Sequence, residues 1–333
     1  MINISYNAIP QPYLDFIDRF KKKIENWYNE GYMGNNKGRV NLSPECKVIF
    51  RYLKTADNLK NFLLTNANQL PALITSIERK YPCLANDRQL SPHDKKTPRS
   101  SLYTCLKKAF VDLGYKDSEF PNYQLTEALA LNACPYCNAE EIIYQTINVN
   151  GEEHNMMDSE LDHFYPKARV PYLAICLYNL IPSGSICNGV HGKYYDDMYA
   201  LNLVNPFSLD DARGIHFELD PIYKDVLDYN EFIPKCKIIT TVAPYLNPNV
   251  ITFKISQRYN EEKSKARKVW TIYRKVASKG YKKVLEEKRQ ELGIKFSFNE
   301  WLDEELEIDS ITYKRKLSKF CVDIWGQLIG NRV

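Results

Sequence analysis

The sequence lacks the features of membrane and secreted proteins. Its start, MINISYNAIPQPYLDF, has no basic segment followed by an apolar one, and no run of 18 or more apolar residues occurs in the 333 residues. Walker and GxGxxG motifs are missing too. We therefore expect a cytoplasmic protein without a membrane segment, and any dependence on ATP would have to come from another protein.

A regular, evenly paired cysteine pattern is lacking, because the chain of 333 residues contains nine cysteines, an odd number. Most stand alone among apolar neighbours, among them Cys46, Cys105, Cys176 and Cys321. This placement is typical of small buried side chains, so we do not expect a disulfide framework.

Excess charge of one sign is also absent from the chain as a whole, which carries 45 basic and 41 acidic residues. The distribution is less even. Residues 254–289 contain 13 Lys or Arg against four Glu, with Trp270, Tyr273 and Tyr281 interleaved, whereas all six charges of 300–309 are acidic. A basic stripe with aromatics can follow a phosphate backbone. More often, such a stretch is a helix whose charged face is solvated and whose aromatic residues pack into the core.

The periodicity of apolar residues predicts an α+β protein. YLDFIDRFKKKIENWY, CKVIFRYLKTADNLKNFLL and LPALITSIERKY repeat with helical spacing, and the polar ANDRQLSPHDKKTPRSS, with a solvated His93, reads as a loop. EIIYQTINV alternates and leads into a turn at Asn150 and Gly151, then SELDHF. GIHFELD, KCKIITTVAP and NVITFKIS predict further strands. The expected ranges are a helical region 1–125, a small central unit 126–205, and 206–333 with short strands followed by basic helices.

The stretch ELDHFYPK places Asp162 and His163 side by side before Pro166. Hydrolysis of a phosphodiester needs a water nucleophile, a base and positive charge. His163 can be the base, while Asp162 and the side-chain carbonyl of Asn188 are oxygen ligands suited to Mg²⁺ or Mn²⁺. Successive strand residues face opposite ways, so both serve one site only if the strand ends or bulges there, and Pro166 fits an ending. Asn179 is a candidate to fix the histidine across a loop.

A second motif, CPYC, contains Cys134 and Cys137. Two thiolates at this spacing form half of a tetrahedral zinc site. A partner pair would include Cys187, but Gly184 occupies its first position. His191, four residues after Cys187, is the nearest replacement; a water or a distant cysteine are other fourth ligands. A redox pair or two packed thiols are the alternatives to zinc.

CPYC, ELDHFYPK, YNLIPS and CN, in this order, resemble the HNH endonuclease superfamily with its ββα-metal fold. The likeness is greatest to the HNH nucleases of bacterial anti-phage systems, the Septu PtuB-type and retron-associated effectors, and covers residues 134–193. YKRKLSKFCVDI is similar to the family's C-terminal helix. The resemblance implies these roles: His163 as general base, Asn179 positioning the His loop, Asp162 and Asn188 on the catalytic metal, and Cys134, Cys137 and Cys187 on structural zinc.

The expected function is therefore metal-dependent hydrolysis of DNA by the effector of an anti-phage defence system. Lys167, Arg169 and Lys193 are candidate phosphate contacts, and Glu160 would share the strand face of Asp162. The resemblance also implies activation by a partner ATPase. Two alternatives stay open: a zinc-knuckle nucleic-acid-binding or adaptor protein without cleavage, and an RNA-cleaving nuclease, since this chemistry neither needs nor excludes a 2′-hydroxyl.

Overall fold

The computed structural model describes residues 1–33, 39–40, 42–94, 96–209, 214–224, 226, 228–278, 280–291, 293, 297–309 and 311–330. The chain divides into two compact units. The N-terminal unit comprises Ile4–Ala130 and Ile143–Ser208, and the C-terminal unit comprises Met1–Asn3, Leu131–Ile142 and Leu209–Val333. The three ranges expected from the sequence remain a prediction.

Helices alternate with small antiparallel sheets in the described residues, which confirms the α+β class. Among these helices, none has both the length and the apolar character required to cross a bilayer.

The N-terminal unit is mainly helical. Its helices are α1 Gln11–Glu30, α2 Pro44–Leu53, α3 Asn58–Leu63, α4 Leu70–Lys80, α5 Pro82–Gln89, α6 Ser101–Leu106, a π-helix Lys107–Tyr115, α7 Asn122–Leu129 and α8 Ser185–Asn188. The strands are β1 Tyr32–Met33, β2 Arg39–Val40, β3 Tyr144–Val149, β4 Glu152–Met157, β5 Glu160–His163 and β6 Leu180–Ser183. The three helical stretches expected before residue 82 are confirmed.

Helix α5 corrects the predicted loop, because ANDRQ forms its second half. Asp87 and Arg88 are buried there. Arg88 donates to Glu78 and pairs with Asp197, and Asp87 accepts a hydrogen bond from the backbone of Ser100. These distant partners stabilise a helix whose local sequence is polar.

The core of this unit brings α1 against the π-helix. Phe16, Phe20 and Ile24 of α1 are fully buried, and the Phe20 ring lies 5.7 Å from that of Phe110 in the π-helix. A Cβ at Gly114 would lie 3.2 Å from Ile175 and 3.3 Å from Phe20. The π-helix is therefore held closely between α1 and the segment that follows β5.

Strands β5 and β6 pair antiparallel, with His163 opposite Leu180 and Asp162 opposite Ile181. Strand β5 ends at His163, as the sequence predicted. Strands β3 and β4 form a hairpin whose turn has positive φ at Asn150 and Gly151, which confirms the turn. Strand β4 was not expected, because its residues are polar and mostly exposed.

The C-terminal unit contains β7 Ile215–Leu219, α9 Phe232–Lys235, β8 Ile238–Val242, α10 Asn247–Thr252, α11 Ile255–Asn260, α12 Lys263–Ala277, α13 Tyr281–Glu291, α14 Phe298–Leu306 and α15 Ser318–Leu328. The strands expected in GIHFELD and KCKIITTVAP are confirmed and pair antiparallel. The C-terminal helix expected in YKRKLSKFCVDI is confirmed only from Ser318 onward, because YKRKL precedes α15; Phe320, Cys321 and Ile324 of α15 are fully buried.

The strand expected in NVITFKIS is wrong, because this stretch belongs to α10 and α11. Its β-branched residues favour a strand by propensity. Pro248, however, lies in the first turn of α10, where it suits a helix. Val250 and Ile255 are buried, so packing in the core overrides the local preference.

The expectation of unpaired cysteines is wrong at one place. Cys46 of α2 and Cys105 of α6 form a disulfide with a Cα–Cα distance of 6.8 Å. They are 59 residues apart in sequence, so only the packing of α2 against α6 reveals the pair. Cys176 and Cys321 are buried and unbridged, as expected.

Candidate active site

A cavity of about 770 Å³ opens in the N-terminal unit. Its wall is formed by β5, the π-helix and the segment that follows α8. Among the residues that line it are five sequence-predicted ones: Asp162, His163, Lys167, Asn188 and Lys193. The fold therefore brings the candidate base, the candidate metal ligands and two of the candidate phosphate contacts to one cavity.

The imidazole of His163 has a defined proton position. Its Nε2 lies 2.9 Å from the carbonyl oxygen of Ala174, which can only accept, so Nε2 carries the proton and Nδ1 keeps its lone pair. Burial lowers the pKa of His163 well below its ordinary value, and the charges of Lys167 and Lys193 lower it further. The ring is therefore neutral at neutral pH, with a lone pair on Nδ1, the atom that the Lys167 ammonium approaches to 3.5 Å.

Tyr115, the last residue of the π-helix, packs its ring edge-on against His163 with centroids 4.3 Å apart. Its hydroxyl donates to the carbonyl of Leu161 at 3.1 Å, and burial raises the pKa of Tyr115 to about 12. Sequence reasoning missed this residue. Only the packing of the π-helix against β5 relates it to the histidine, and no local motif indicates that contact.

Asp162 and Lys193 form a buried ion pair. The ammonium of Lys193 lies 2.8 Å from Oδ1 of Asp162, and their side chains are 1% and 4% exposed for lysine and aspartate respectively. The same ammonium donates to the backbone carbonyl of His163 at 2.6 Å. Lys193 thus neutralises a candidate metal ligand and supports the end of β5. Its expected contact with phosphate remains a prediction.

Glu160 and Asn188 add oxygen donors beside Asp162. Nδ2 of Asn188 donates to the carboxylate of Glu160, which leaves the amide carbonyl as the acceptor atom of this side chain. Glu160 and Asp162 are two apart on β5 and so share a strand face. Two carboxylates and an amide carbonyl are the donor types that Mg²⁺ and Mn²⁺ prefer. The donor types are therefore suitable, and a Mg²⁺ or Mn²⁺ ion at this place remains a prediction.

Asn179 fastens the segment that follows β5. Its Oδ1 accepts from the backbone N–H of Tyr165 at 2.7 Å, and its Nδ2 donates to the carbonyls of Leu173 at 2.9 Å and Tyr165 at 3.2 Å. The residue is completely buried. Such contacts fix the backbone at Tyr165 and at Leu173, the residue before Ala174, whose carbonyl is the partner of His163.

The two other candidate phosphate contacts, Arg169 and Lys167, have different neighbours in the structure. The Arg169 guanidinium donates to the carbonyls of Tyr195 at 2.6 Å and Arg88 at 2.7 Å, so it binds backbone. The Lys167 ammonium lies 3.5 Å from Nδ1 of His163 and 4.5 Å from the centre of the Tyr115 ring. Burial lowers the pKa of Lys167. A phosphate contact stays a prediction for both.

The C-terminal unit holds a candidate zinc site. Ligand atoms of Cys134, Cys137 and Glu140 lie within 4.8 Å of one another. The backbone N–H of Ala139 donates to Sγ of Cys137 at 3.4 Å, and Arg258 pairs with Glu140 at 2.6 Å. Thiolates and a carboxylate are zinc ligands, so this cluster is compatible with Zn²⁺.

Sequence reasoning missed Glu140, although it follows Cys137 by only three residues and carboxylates are known zinc ligands. The sequence indicates His191 as a candidate zinc ligand other than cysteine. Within this unit Glu140 is such a candidate. Cys187 and His191 belong to the N-terminal unit, where Cys187 is completely buried on α8 and His191 is exposed. Their share in zinc binding remains a prediction.

Several described basic residues of 254–289 have acidic or backbone partners within the C-terminal unit. Arg258 pairs with Glu140, and the Lys265 ammonium donates to the carbonyl of Leu306 at 2.7 Å. Trp270 is buried. These contacts favour the interpretation as a helix face with core aromatics. Lys279 lies outside the described residues.

Comparison with protein-family models, with curated proteins and with solved structures finds no match for this chain.

Proposed function

We propose that the protein is a metal-dependent endonuclease of the HNH type that hydrolyses DNA phosphodiester bonds. The observation that carries the proposal is the state of His163: a neutral imidazole whose Nε2 is bound to a backbone carbonyl and whose Nδ1 keeps its lone pair in a cavity beside oxygen donors. A general base needs this protonation state at neutral pH.

Six residues of the cavity have a part in the proposed reaction. Nδ1 of His163 takes a proton from the attacking water, while Ala174 and Tyr115 hold the ring in place. The ammonium of Lys167 contributes positive charge near the phosphate. Asp162, Asn188 and Glu160 would hold Mg²⁺ or Mn²⁺, which supplies a Lewis acid for the phosphate and the leaving oxygen.

Structural zinc is the second proposed cofactor. The cluster of Cys134, Cys137 and Glu140 supports it within the C-terminal unit, and the sequence resemblance adds Cys187 as a further thiolate. A structural zinc ion contributes to folding and takes no part in the reaction.

Cleavage of supercoiled plasmid tests the proposal. Wild-type protein should nick or linearise DNA with Mg²⁺ or Mn²⁺ and stop with EDTA, and His163→Ala should lose about 100- to 10,000-fold in rate. His154→Ala is the matched control, since that histidine is exposed on β4. Metal-dependent cleavage that survives in His163→Ala would refute the assignment of the base.

The same assay separates the alternatives. An adaptor protein would bind DNA and show no cleavage that depends on His163. An RNA-cleaving nuclease would degrade single-stranded RNA and leave the plasmid intact. We also propose, from the resemblance alone, that the chain is the effector of an anti-phage system with a partner ATPase. Cleavage that appears only when the ATPase encoded beside it and ATP are added would support that part.

A further inference from the structure

Two tyrosines reach the surface directly after the buried Lys193. Tyr194 and Tyr195 are 38% and 39% exposed, and both line the cavity that contains His163. Their ring centroids lie 4.2 Å apart, and the exposed His93 ring stacks on Tyr194 at 5.7 Å with an interplanar angle of 19°. A contiguous aromatic patch on a surface is typical of a binding site.

The backbone of this segment is closely constrained. A Cβ at Gly192 would lie 2.2 Å from the carbonyl oxygen of Cys187, so only glycine fits there. Tyr194 has a φ of 45°, a conformation that bulky residues rarely adopt. The carbonyl of Tyr195 accepts a hydrogen bond from Arg169 at 2.6 Å. Such strain persists where the surrounding structure imposes it, commonly at functional sites.

Lysines of positive charge line the same cavity. Lys107 begins the π-helix and Lys116 directly follows it, and both are exposed and line the cavity. Lys116 pairs with Asp112 at 2.8 Å, but both side chains are exposed, and a pair of this kind contributes little. Lys116 can therefore exchange that partner for a phosphate at small cost.

Exposed rings beside lysines complement an unpaired nucleic-acid strand, because bases stack on aromatics and phosphates bind ammonium groups. In a duplex the base faces are already stacked on one another. A cavity of about 770 Å³ is within the range of about 300–1,000 Å³ that encloses small ligands. This size suits a single nucleotide turned out of its stack.

We propose that the substrate strand enters this cavity as unpaired DNA, with Tyr194 and Tyr195 stacking on bases and Lys107 and Lys116 binding phosphates. The inference rests on the proposed nuclease function and specifies its substrate: single strands, flaps or splayed ends rather than continuous duplex.

Binding of a fluorescein-labelled oligo(dT) and of a labelled duplex of equal length tests this. The full-length His163→Ala protein without added Mg²⁺ is used, so that cleavage does not interfere. We expect the single strand to bind at least ten-fold more tightly. Adding Tyr194→Ala and Tyr195→Ala should weaken single-strand binding by about 5- to 150-fold per lost stacking contact, whereas the two Phe variants should retain it.

Matched controls come from the same unit. Tyr52 is 61% exposed and does not line this cavity, so Tyr52→Ala should leave binding unchanged. Lys107→Ala with Lys116→Ala should reduce the steepness of the salt dependence of binding, while Lys60→Ala should not. Retained binding by the Phe variants also shows that the aromatic ring, and not the hydroxyl group, binds the strand.

The outcomes separate the two proposals. Equal affinity for duplex and single strand, no binding of either, or unchanged affinity after both Tyr→Ala substitutions would overturn the inference. Cleavage that depends on His163 would then still support the nuclease. The opposite result is also informative. If single-strand binding depends on the tyrosines but wild-type protein shows no cleavage that His163→Ala abolishes, the nuclease proposal is refuted and the strand-binding surface stands.

Discussion

Two regions of the molecule combine lysine or arginine with aromatic rings, and they use them differently. In residues 254–289 of the C-terminal unit Trp270 is buried, and Lys265 and Lys268 both meet Glu307 of the acidic stretch. At the cavity of the N-terminal unit Tyr194 and Tyr195 are exposed. The difference lies in the rings: Trp270 is enclosed in its own unit, although lysines of the same stretch such as Lys283 and Lys288 are 80% and 65% exposed.

The lysines of the two regions differ in burial as well. Lys193 and Asp162 pair almost without exposure, whereas Lys268 and Glu307 pair at 3.6 Å with side chains 39% and 74% exposed. Removing one partner of a buried pair leaves an uncompensated charge, while water replaces the partner of an exposed one. The comparison therefore predicts a steep order of mutational effects.

The largest effect is expected for Lys193→Met, which leaves the Asp162 carboxylate and the His163 carbonyl without the ammonium that binds them. The free energy of unfolding should fall by about 3–5 kcal/mol, measured by urea denaturation. Combining Lys193→Met with Asp162→Leu should recover part of the loss, since no lone charge remains. A loss below about 1 kcal/mol in the single variant would show that the pair is not buried in solution.

The sequence predicts elements whose pattern is local. The end of β5 at His163 and the turn at Asn150 and Gly151 follow from alternation and from the turn residues, and both are confirmed. The helices α10 and α11 were missed because core packing, not β-branched propensity, decides their state.

The candidate site shows the same limit. Asp162 and His163 are adjacent in sequence, so one local motif identifies both as candidate site residues. Tyr115 reaches the His163 ring only through the packing of the π-helix, and Cys46 meets Cys105 only through the packing of α2 on α6. Contacts between residues far apart in one sequence leave no local pattern to detect.

The next effect concerns zinc. Arg258 lies 2.6 Å from Glu140, a partner that orients this candidate ligand. Arg258→Ala should lower zinc affinity by about 10- to 100-fold, measured by competition with a chromogenic chelator. Lys268→Ala is the control, because Lys268 pairs with Glu307 instead. Wild-type protein that binds no zinc, or equal affinity in Arg258→Ala, would contradict the candidate site.

A change in pH dependence follows from Lys167. Its charge lowers the pKa of His163, next in importance to burial. The ordinary pKa of histidine is about 6.5. Because the pKa of His163 is lower, the ring stays neutral when the pH falls below that value, so wild-type cleavage should persist in mildly acidic buffer. Lys167→Met removes the charge and raises the pKa of His163, so the acidic limb of the kcat/KM profile should move to higher pH.

Lys116→Met is the control for that profile, since Lys116 is not among the charges that lower the pKa of His163. It should weaken DNA binding and leave the acidic limb in place. An acidic limb at the same pH in wild type and Lys167→Met would show that His163 is not the group whose protonation stops the reaction.

The smallest effect is expected in the basic stretch itself. Lys268→Ala removes one of two lysines that meet Glu307, and an exposed pair contributes about 0–1 kcal/mol. The free energy of unfolding should change by no more than that, and the affinity for DNA should not change. Because Lys268 also counts toward the excess charge of 254–289, weaker DNA binding in this variant would reverse the comparison: the basic stretch would then be a nucleic-acid surface, and its ion pairs with the acidic segment would compete with DNA.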